Sequence, residues 1–445
     1  MNRTLQLSPR AFVVVDLGFG DAGKGLVTDY LAREHDARTV VRFNGGAQAG
    51  HNVVAPDGRH HTFAQFGSGS FVPGVRTFLS NQVVVDPAAL LLEAAALERQ
   101  GVAGALAGVR VSERARVVTP FHQTANRLRE LARGDGRHGS CGVGVGETVR
   151  DSLAFPEETI FAGDLLANAA EIASRLQRIR DRKREELAQL REKTRGNEQA
   201  DREWRIFDEP IAERWLEQIR PFIARELVAP DSLLASWIRD SPATVFEGAQ
   251  GVLLDETLGF HPHTTFSRCT AANALELLAR WAPDVPVTRF GVLRTHAVRH
   301  GPGPLPTETS ELDGLVREHN RENPWQGTVR RGWFDAVLAR HALEVAPVER
   351  LVLTHVDLLP RLERFRACVA YRADGEIAPV TRLPRGDGSL HHQSWLGTWL
   401  ARVQPDFEEC DVAEPKALGL IEQSLERRID VVSRGPMAKD VAEKA

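Results

Sequence analysis

A run of apolar residues, Ala11-Phe12-Val13-Val14-Val15, leads into Gly18-Phe19-Gly20-Asp21-Ala22-Gly23-Lys24-Gly25 and then into Leu26–Ala32 at helical spacing. An unbroken apolar run of strand length is covered on both faces, as strands inside a parallel sheet are. Glycines between such a strand and a helix let the backbone turn tightly. They aim its N–H groups, together with the helix N-terminus, at a single anion. The segment satisfies the G-x-x-x-x-G-K part of a phosphate-binding loop, with Lys24 available to neutralise phosphate charge. It departs from that pattern twice: Gly25 stands where a Ser or Thr would hold magnesium, and a carboxylate, Asp21, sits inside the loop. An anion in a phosphate cradle is costly unless it holds a cation or takes a proton from a substrate.

The rest of the chain continues the alternation. A second apolar run, Thr39–Phe43, ends in Gly45-Gly46, and strand-like segments recur at Gln82–Val85, Ala243–Phe246, Val287–Leu293 and Leu351–Leu353. Helical stretches such as Pro87–Arg99 and Ala336–Val345 lie between them. This order predicts an α/β fold with a mostly parallel sheet covered by helices on both faces. The 445 residues would suggest about three domains, yet no repeat or low-complexity linker divides them. From Glu171 to Arg205 the chain is dense in Arg, Glu, Gln and Leu with both charge signs interspersed. That pattern reads as a solvated helical hairpin or arm, with a nucleic-acid contact as the minor alternative.

Composition excludes several classes. A net charge of −4 gives no global basic field for nucleic acid or anionic membrane. Cys141, Cys269, Cys368 and Cys410 are scattered without a CxxC pair, which argues against a disulfide framework or zinc ribbon. Met1–Phe12 holds no signal-type apolar core, and no uncharged apolar run approaches about 18 residues. The expectation is a soluble cytoplasmic protein without a membrane anchor.

Three further loops carry possible chemistry. Arg42–Asn52 is glycine-rich and holds His51 at its end. Phe246–Asp255 runs from a strand into small residues. Thr264-Thr265 and Arg299–Glu308 follow. Taken singly, each passes as a tight turn, and a lone histidine is more often structural than catalytic. Together they resemble the adenylosuccinate synthetase family. Gly20–Leu26 matches its GDEGKGK, Gly45–Asn52 its GGHNAGHT, and Phe246–Asp255 its FEGAQGTLLD with Val252 as the one change. Arg299–Glu308 matches R-x-G-x-G-P-x-P-T-E, and Gly327–Asp335 matches G-R-P-R-R-x-G-W-x-D less one residue. Leu353–Asp357 stands for LTKLD and Ser433–Pro436 for STGP, so the matches are collinear from residue 13 to 436.

The resemblance implies one large α/β domain over residues 1–445, with the charged stretch about 171–205 as a helical elaboration. It implies a GTP-dependent ligase joining L-aspartate to IMP. Asp21 would be the base on N1 of IMP, His51 the partner of the γ-phosphate, and Gln250 a third catalytic residue. GTP would lie on Gly20, Gly23, Lys24, Gly25, Gly50, His51 and Asn52, its base held by His355, Asp357, Ser433, Gly435 and Pro436. Mg²⁺ would take the Asp21 side chain and the Gly50 carbonyl. Asp21, Gln48, Cys141, Gln250 and Thr265 would meet the acceptor, and Thr328 and Arg330 the aspartate. A homodimer is implied, with no nucleic-acid partner.

Several positions depart from the family pattern: Gln48 for an Asn, Ser140-Cys141 for a Thr pair, Val143 and Thr328 for arginines, His355 for a Lys. Pro324-Trp325 replaces much of a threonine run, and Phe155 falls where an Arg reaches across from the other subunit, with Arg150 nearby. Two alternatives follow: the same phosphoryl activation applied to another acceptor or amino acid, or a non-catalytic GTP-binding relative. The pairing of Asp21 with His51 argues against the second, because a binding module needs neither an acid nor a base. No N-K-x-D motif points to a GTPase switch.

Overall fold

The strand Arg10–Asp16 (β1) is buried at every residue after Arg10. Its alternate side chains feed two cores: Ala11, Val13 and Val15 pack into one, Phe12 and Val14 into the other. A period of two on a doubly covered strand produces this division. The structure, a computed structural model, describes residues 8–316, 325–373 and 378–444; Pro324 and Met1–Leu7 lie outside them.

Around β1 the sheet is built from Ala37–Arg42 (β2), Arg76–Leu79 (β3), Val109–Ser112 (β4), Val228–Ala229 (β5) and Ala243–Glu247 (β6). Val287–Arg294 (β7), Arg350–Thr354 (β8), Val431–Ser433 (β9) and Val441–Glu443 (β10) complete it. The order is β10-β9-β8-β7-β1-β6-β2-β3-β4-β5. Every neighbouring pair is parallel except β9 with β10. Strands from both ends of the chain therefore share one sheet, in agreement with the expected mostly parallel α/β architecture. The expected strand at Gln82–Val85 shrinks to Val84–Val85 and pairs with Arg116–Val117 outside the main sheet.

The helices begin where their sequences say they should. Pro87–Arg99 opens on Pro at its first position, and the Asp86 side chain accepts from the Ala89 N–H at 3.0 Å. Helix Lys24–Glu34 (α1) follows β1 and starts from Gly23 at φ 100° with no side-chain cap. Its first-turn N–H groups are thus left for a ligand.

The charged stretch is helical but is no solvated arm. Helix Ala169–Leu187 buries Ile172, Leu176, Ile179 and Leu187, and Glu198–Arg205 buries Trp204, all in a third core beneath the β3–β5 side. Lys183, on the buried stripe, is fully inaccessible, and its Nζ lies 2.7 Å from Asp151, 3.0 Å from Glu147 and 3.2 Å from Glu186. Burial alone would raise the Asp151 carboxyl. Hydrogen bonds from His122, Lys183 and Arg182 outweigh it and hold the group below its ordinary 3.8. Phe155 and Arg150 belong to the same cluster: Arg182 sits 3.9 Å over the Phe155 ring, and Arg150 pairs with Glu147 and Glu186. The Arg150 side chain is 39% exposed, with its guanidinium on these two carboxylates.

Removing one member of a buried ion cluster strands the others without compensation. Lys183→Met is expected to destabilise the fold by about 3 kcal/mol or more, read as a lower urea midpoint. The depressed Asp151 carboxyl adds stability that is complete above the ordinary carboxylate range and is lost as pH falls through its folded value. The difference between wild type and Lys183→Met should therefore narrow on acidification below about pH 4.

Candidate active site

The phosphate-loop segment is shaped by Asp16, the last residue of β1. Fully buried, its carboxylate accepts from the N–H groups of Gly18 (2.9 Å), Gly20 (3.3 Å) and Ala22 (2.8 Å), and from Lys24 Nζ (2.9 Å). Lys24 is thereby fixed at the cavity wall by an anion of the protein itself. A Cβ on Gly25 would come within 3.0 Å of His51 Cβ and of the Asn52 carbonyl oxygen. The missing Ser or Thr is thus the space through which the strand His51–Val54 approaches the loop.

Six connections leave the carboxyl ends of β1, β2, β6, β7, β8 and β9 on one edge of the sheet, the usual ligand edge of an open α/β sheet. Between them lies a cavity of about 370 Å³. Its walls include Asp21, Gly23, Lys24, Gly25, Gly50, His51, Asn52, His355, Asp357, Ser433, Gly435 and Pro436. Only Gly20 of the expected nucleotide set lies elsewhere, on a smaller neighbouring cavity beneath the loop. The large cavity also takes Arg294, Leu315, Val316 and Arg361, which sequence reasoning did not single out.

His51 meets a residue that the motif contained but whose role the sequence did not reveal. Its Nδ1 lies 2.5 Å from Glu247 Oε1, at the end of β6, and Glu247 also accepts from the Ser68 N–H at 2.9 Å and from the Ser68 hydroxyl. Burial is the largest influence on His51 and, with Arg42 and Lys24, drives its pKa down to about 4 against the pull of Glu247. Burial would raise Glu247, but Arg42 and His51 hold it at about 2. An ionised glutamate accepting from a neutral imidazole fixes the proton on Nδ1 and turns Nε2 outward, the arrangement by which a carboxylate orients a catalytic histidine.

Asp21 takes a left-handed backbone, φ 59°. Arg294 Nε donates to its carbonyl oxygen at 2.5 Å, and His300 Nε2 lies 2.5 Å from its Oδ2. Burial favours the neutral acid, but the hydrogen bond and charge of His300, with Arg294 and Lys24, bring it to about 2. Asp21 is an ionised acceptor at neutral pH. Asp21 and Gly50 offer hard oxygen donors to the same cavity, and no cluster of three or more His, Cys, Asp or Glu ligands exists among the described residues. This set suits a cation that keeps waters and substrate phosphates in its shell, as Mg²⁺ does, rather than one caged by protein.

Of the residues expected to meet the acceptor, Gln250 and Gln48 pack on the adjacent glycines of the loop after β2. Gln250, at φ 57°, packs its amide oxygen against Gly45, and Gln48 packs its own against Gly46. Both amide oxygens are buried without a hydrogen-bond partner among the described residues. Two orphaned acceptors side by side mark a place built for a donor that arrives with a ligand. Gly142, next to Cys141, lies against the Trp325 indole, and Arg127 Nε donates to the Gly142 carbonyl at 2.9 Å. Burial pushes the Cys141 thiol up, as befits a filler rather than a nucleophile. Thr265 is held by its N–H on the Leu254 carbonyl, and Thr328 by its carbonyl on the Gly301 N–H. Arg330 is fully engaged: it donates to the carbonyls of Gly301 and Gly303 and to Glu308 at 2.6 Å. A role for Arg330 on an incoming carboxylate requires that the Glu308 pair open.

His355 has its ring fixed by Thr354 Oγ1 at 2.9 Å and by an edge contact with His296. Asp357 stands on the same cavity wall, across from Ser433, Gly435 and Pro436.

A sequence model of the adenylosuccinate synthetase family matches residues 13–442. The chain is 32% identical to an adenylosuccinate synthetase of Caldanaerobacter subterraneus, over 95% of this chain and 96% of that one. It is also 32% identical to one from Clostridium botulinum, over 96% and 97%. Among solved structures, the fully ligated adenylosuccinate synthetase of Plasmodium falciparum superposes with a TM-score of 0.77 at 19% identity, covering 98% of this chain and 99% of that one. The cyanophage S-2L succinoaminodeoxyadenylate synthetase, bound to dGMP and to dATP as energy donor, gives 0.59 at 20% identity, covering 98% and 95%. The structural likenesses carry the fold, and the sequence matches carry the kinship: the chain belongs to the adenylosuccinate synthetase family and is an enzyme, a GTP-dependent ligase.

Proposed function

We propose that the protein condenses IMP with L-aspartate at the expense of GTP, giving adenylosuccinate, GDP and phosphate. The observation that carries this reading is the convergence of Asp21 and the Glu247-paired His51 on one cavity whose wall also carries His355, Asp357, Ser433 and Pro436. A ring amide oxygen is a poor leaving group, so the chemistry must activate it first. Asp21 accepts the N1 proton, the electron pair moves to O6, and O6 attacks the γ-phosphorus as the bond to the GDP oxygen breaks. The aspartate amine then adds at C6 and phosphate leaves with the O6 oxygen.

His51 is neutral in the ligand-free cavity because burial and two cations oppose its charge. A γ-phosphate at Nε2 reverses that balance, and with Glu247 behind it the ring can hold a proton on the transferring group. Asp21 and the Gly50 carbonyl would hold Mg²⁺, which supplies charge neutralisation of the phosphates when bound. Asp357 accepts from guanine N1 and N2, with His355 against the base. Gln48, Gln250, Cys141 and Thr265 form the acceptor side, and Thr328 with Arg330 the amino-acid side. We further read the protein as a cytoplasmic homodimer; Leu153, 67% exposed beside Phe155, offers an apolar contact for a second copy.

Protein incubated with GTP, Mg²⁺, IMP and aspartate should show the absorbance rise of adenylosuccinate, and omission of any one component should abolish it. No product across broad concentrations would refute the IMP reading. Glu247→Gln should lower kcat by about 100-fold or more while leaving the KM for GTP within a few-fold, because the oriented histidine acts in the transferring step. Asp357→Asn should lower kcat/KM for GTP by about 10- to 100-fold, the worth of hydrogen bonds to a charged group. The same variant should gain use of xanthosine triphosphate, whose base presents an acceptor where guanine presents a donor.

A further inference from the structure

We infer that His300 is a positioning residue for Asp21, holding one carboxylate oxygen so that the other faces the acceptor. The inference rests on the function proposed above. His300 ends the strand Ala297–His300, which pairs antiparallel with Val329–Gly332, placing His300 opposite Val329. That ribbon carries the amino-acid side of the site: Thr328 is bound through its carbonyl to Gly301, and Arg330 is clamped to the Gly301–Gly303 turn. From there the imidazole reaches back across the chain to the phosphate loop, with Nε2 2.5 Å from Asp21 Oδ2 and the two side chains 13% and 19% exposed. Its Nδ1 is buried with no hydrogen-bond partner among the described residues. With Nε2 facing the carboxylate, that nitrogen is the donor and the carboxylate oxygen the acceptor.

The need for such a contact follows from the backbone. Asp21 sits in the left-handed region, on a loop whose other fixed points are the amides bound to Asp16. Arg294 pins its carbonyl, which leaves χ1 and χ2 of the side chain to be set by something else. His300 supplies that restraint from a different element. It offers an N–H to one oxygen, as the acceptor's ring N1–H must do to the other. The base is therefore aimed before substrate arrives, and the ribbon that faces the amino acid is tied to the residue that starts the reaction.

The test compares His300→Leu, which removes the donor, with His300→Gln, whose amide can restore it at similar reach. Three quantities are measured in each: kcat, the KM for GTP, and scrambling of the β,γ-bridging ¹⁸O of GTP with IMP present and aspartate absent. The last reports phosphoryl transfer alone. The expected result is a 10- to 100-fold loss of kcat and of ¹⁸O scrambling in His300→Leu with the KM for GTP and the melting temperature unchanged, and recovery to within about threefold in His300→Gln. Wild-type rates in His300→Leu, or an equal loss in both variants, would overturn the inference. Inactivity of the wild-type protein with IMP would instead count against the proposed function.

Discussion

The site depends first on the carboxylate of Asp16. It closes the end of the buried strand β1, and with two oxygens it gathers three loop amides and the Lys24 ammonium. A charge with no exposure is tolerable only when its lone pairs are filled this way. Because they are filled, the loop cannot relax. Asp21 is thrown into a left-handed backbone at the cavity wall, and helix α1 begins at Gly23 with its amides open. The phosphate cradle is thus a consequence of one saturated anion at the sheet edge.

The second constraint is the pairing of loops from distant parts of the chain. Asn44 binds the Ala249 N–H and carbonyl, joining the loop after β2 to the loop after β6. A Cβ on Gly251 would fall 2.1 Å from the Gly18 carbonyl oxygen, so the β6 loop lies directly against the phosphate loop. Through these contacts the nucleotide and acceptor sides share a wall. Glu247 and Gln250, three residues apart, face different neighbours: Glu247 meets His51, and Gln250 packs against Gly45.

Much of this was legible in the chain. The apolar run Ala11–Val15 and the glycine loop announce their elements because strand burial and positive φ are local demands. The residues that the motifs assign to the nucleotide, all but Gly20, share the walls of one cavity, because they lie at the carboxyl ends of strands in one sheet. The stretch 171–205 misled because charge density was read as solvation. Lys183 carries the same letter whether it points to water or into a carboxylate cage, and only the packing of helix Ala169–Leu187 on its neighbours decides which. Arg330 is likewise a cation in sequence, and only the fold shows its guanidinium paired with Glu308 and with the carbonyls of Gly301 and Gly303.

Sequence alone determined the α/β class with its mostly parallel sheet and the family, and it singled out the loop residues Asp21, Lys24 and His51, since each follows from local periodicity, glycine placement and motif. Only the tertiary structure decided how those residues are set. Glu247 orients His51 from 196 residues away, and His300 and Arg294 hold Asp21 from 279 and 273 away. The reason is physical: a hydrogen bond acts over about 3 Å, and no pattern along the chain records which strands the sheet will lay side by side.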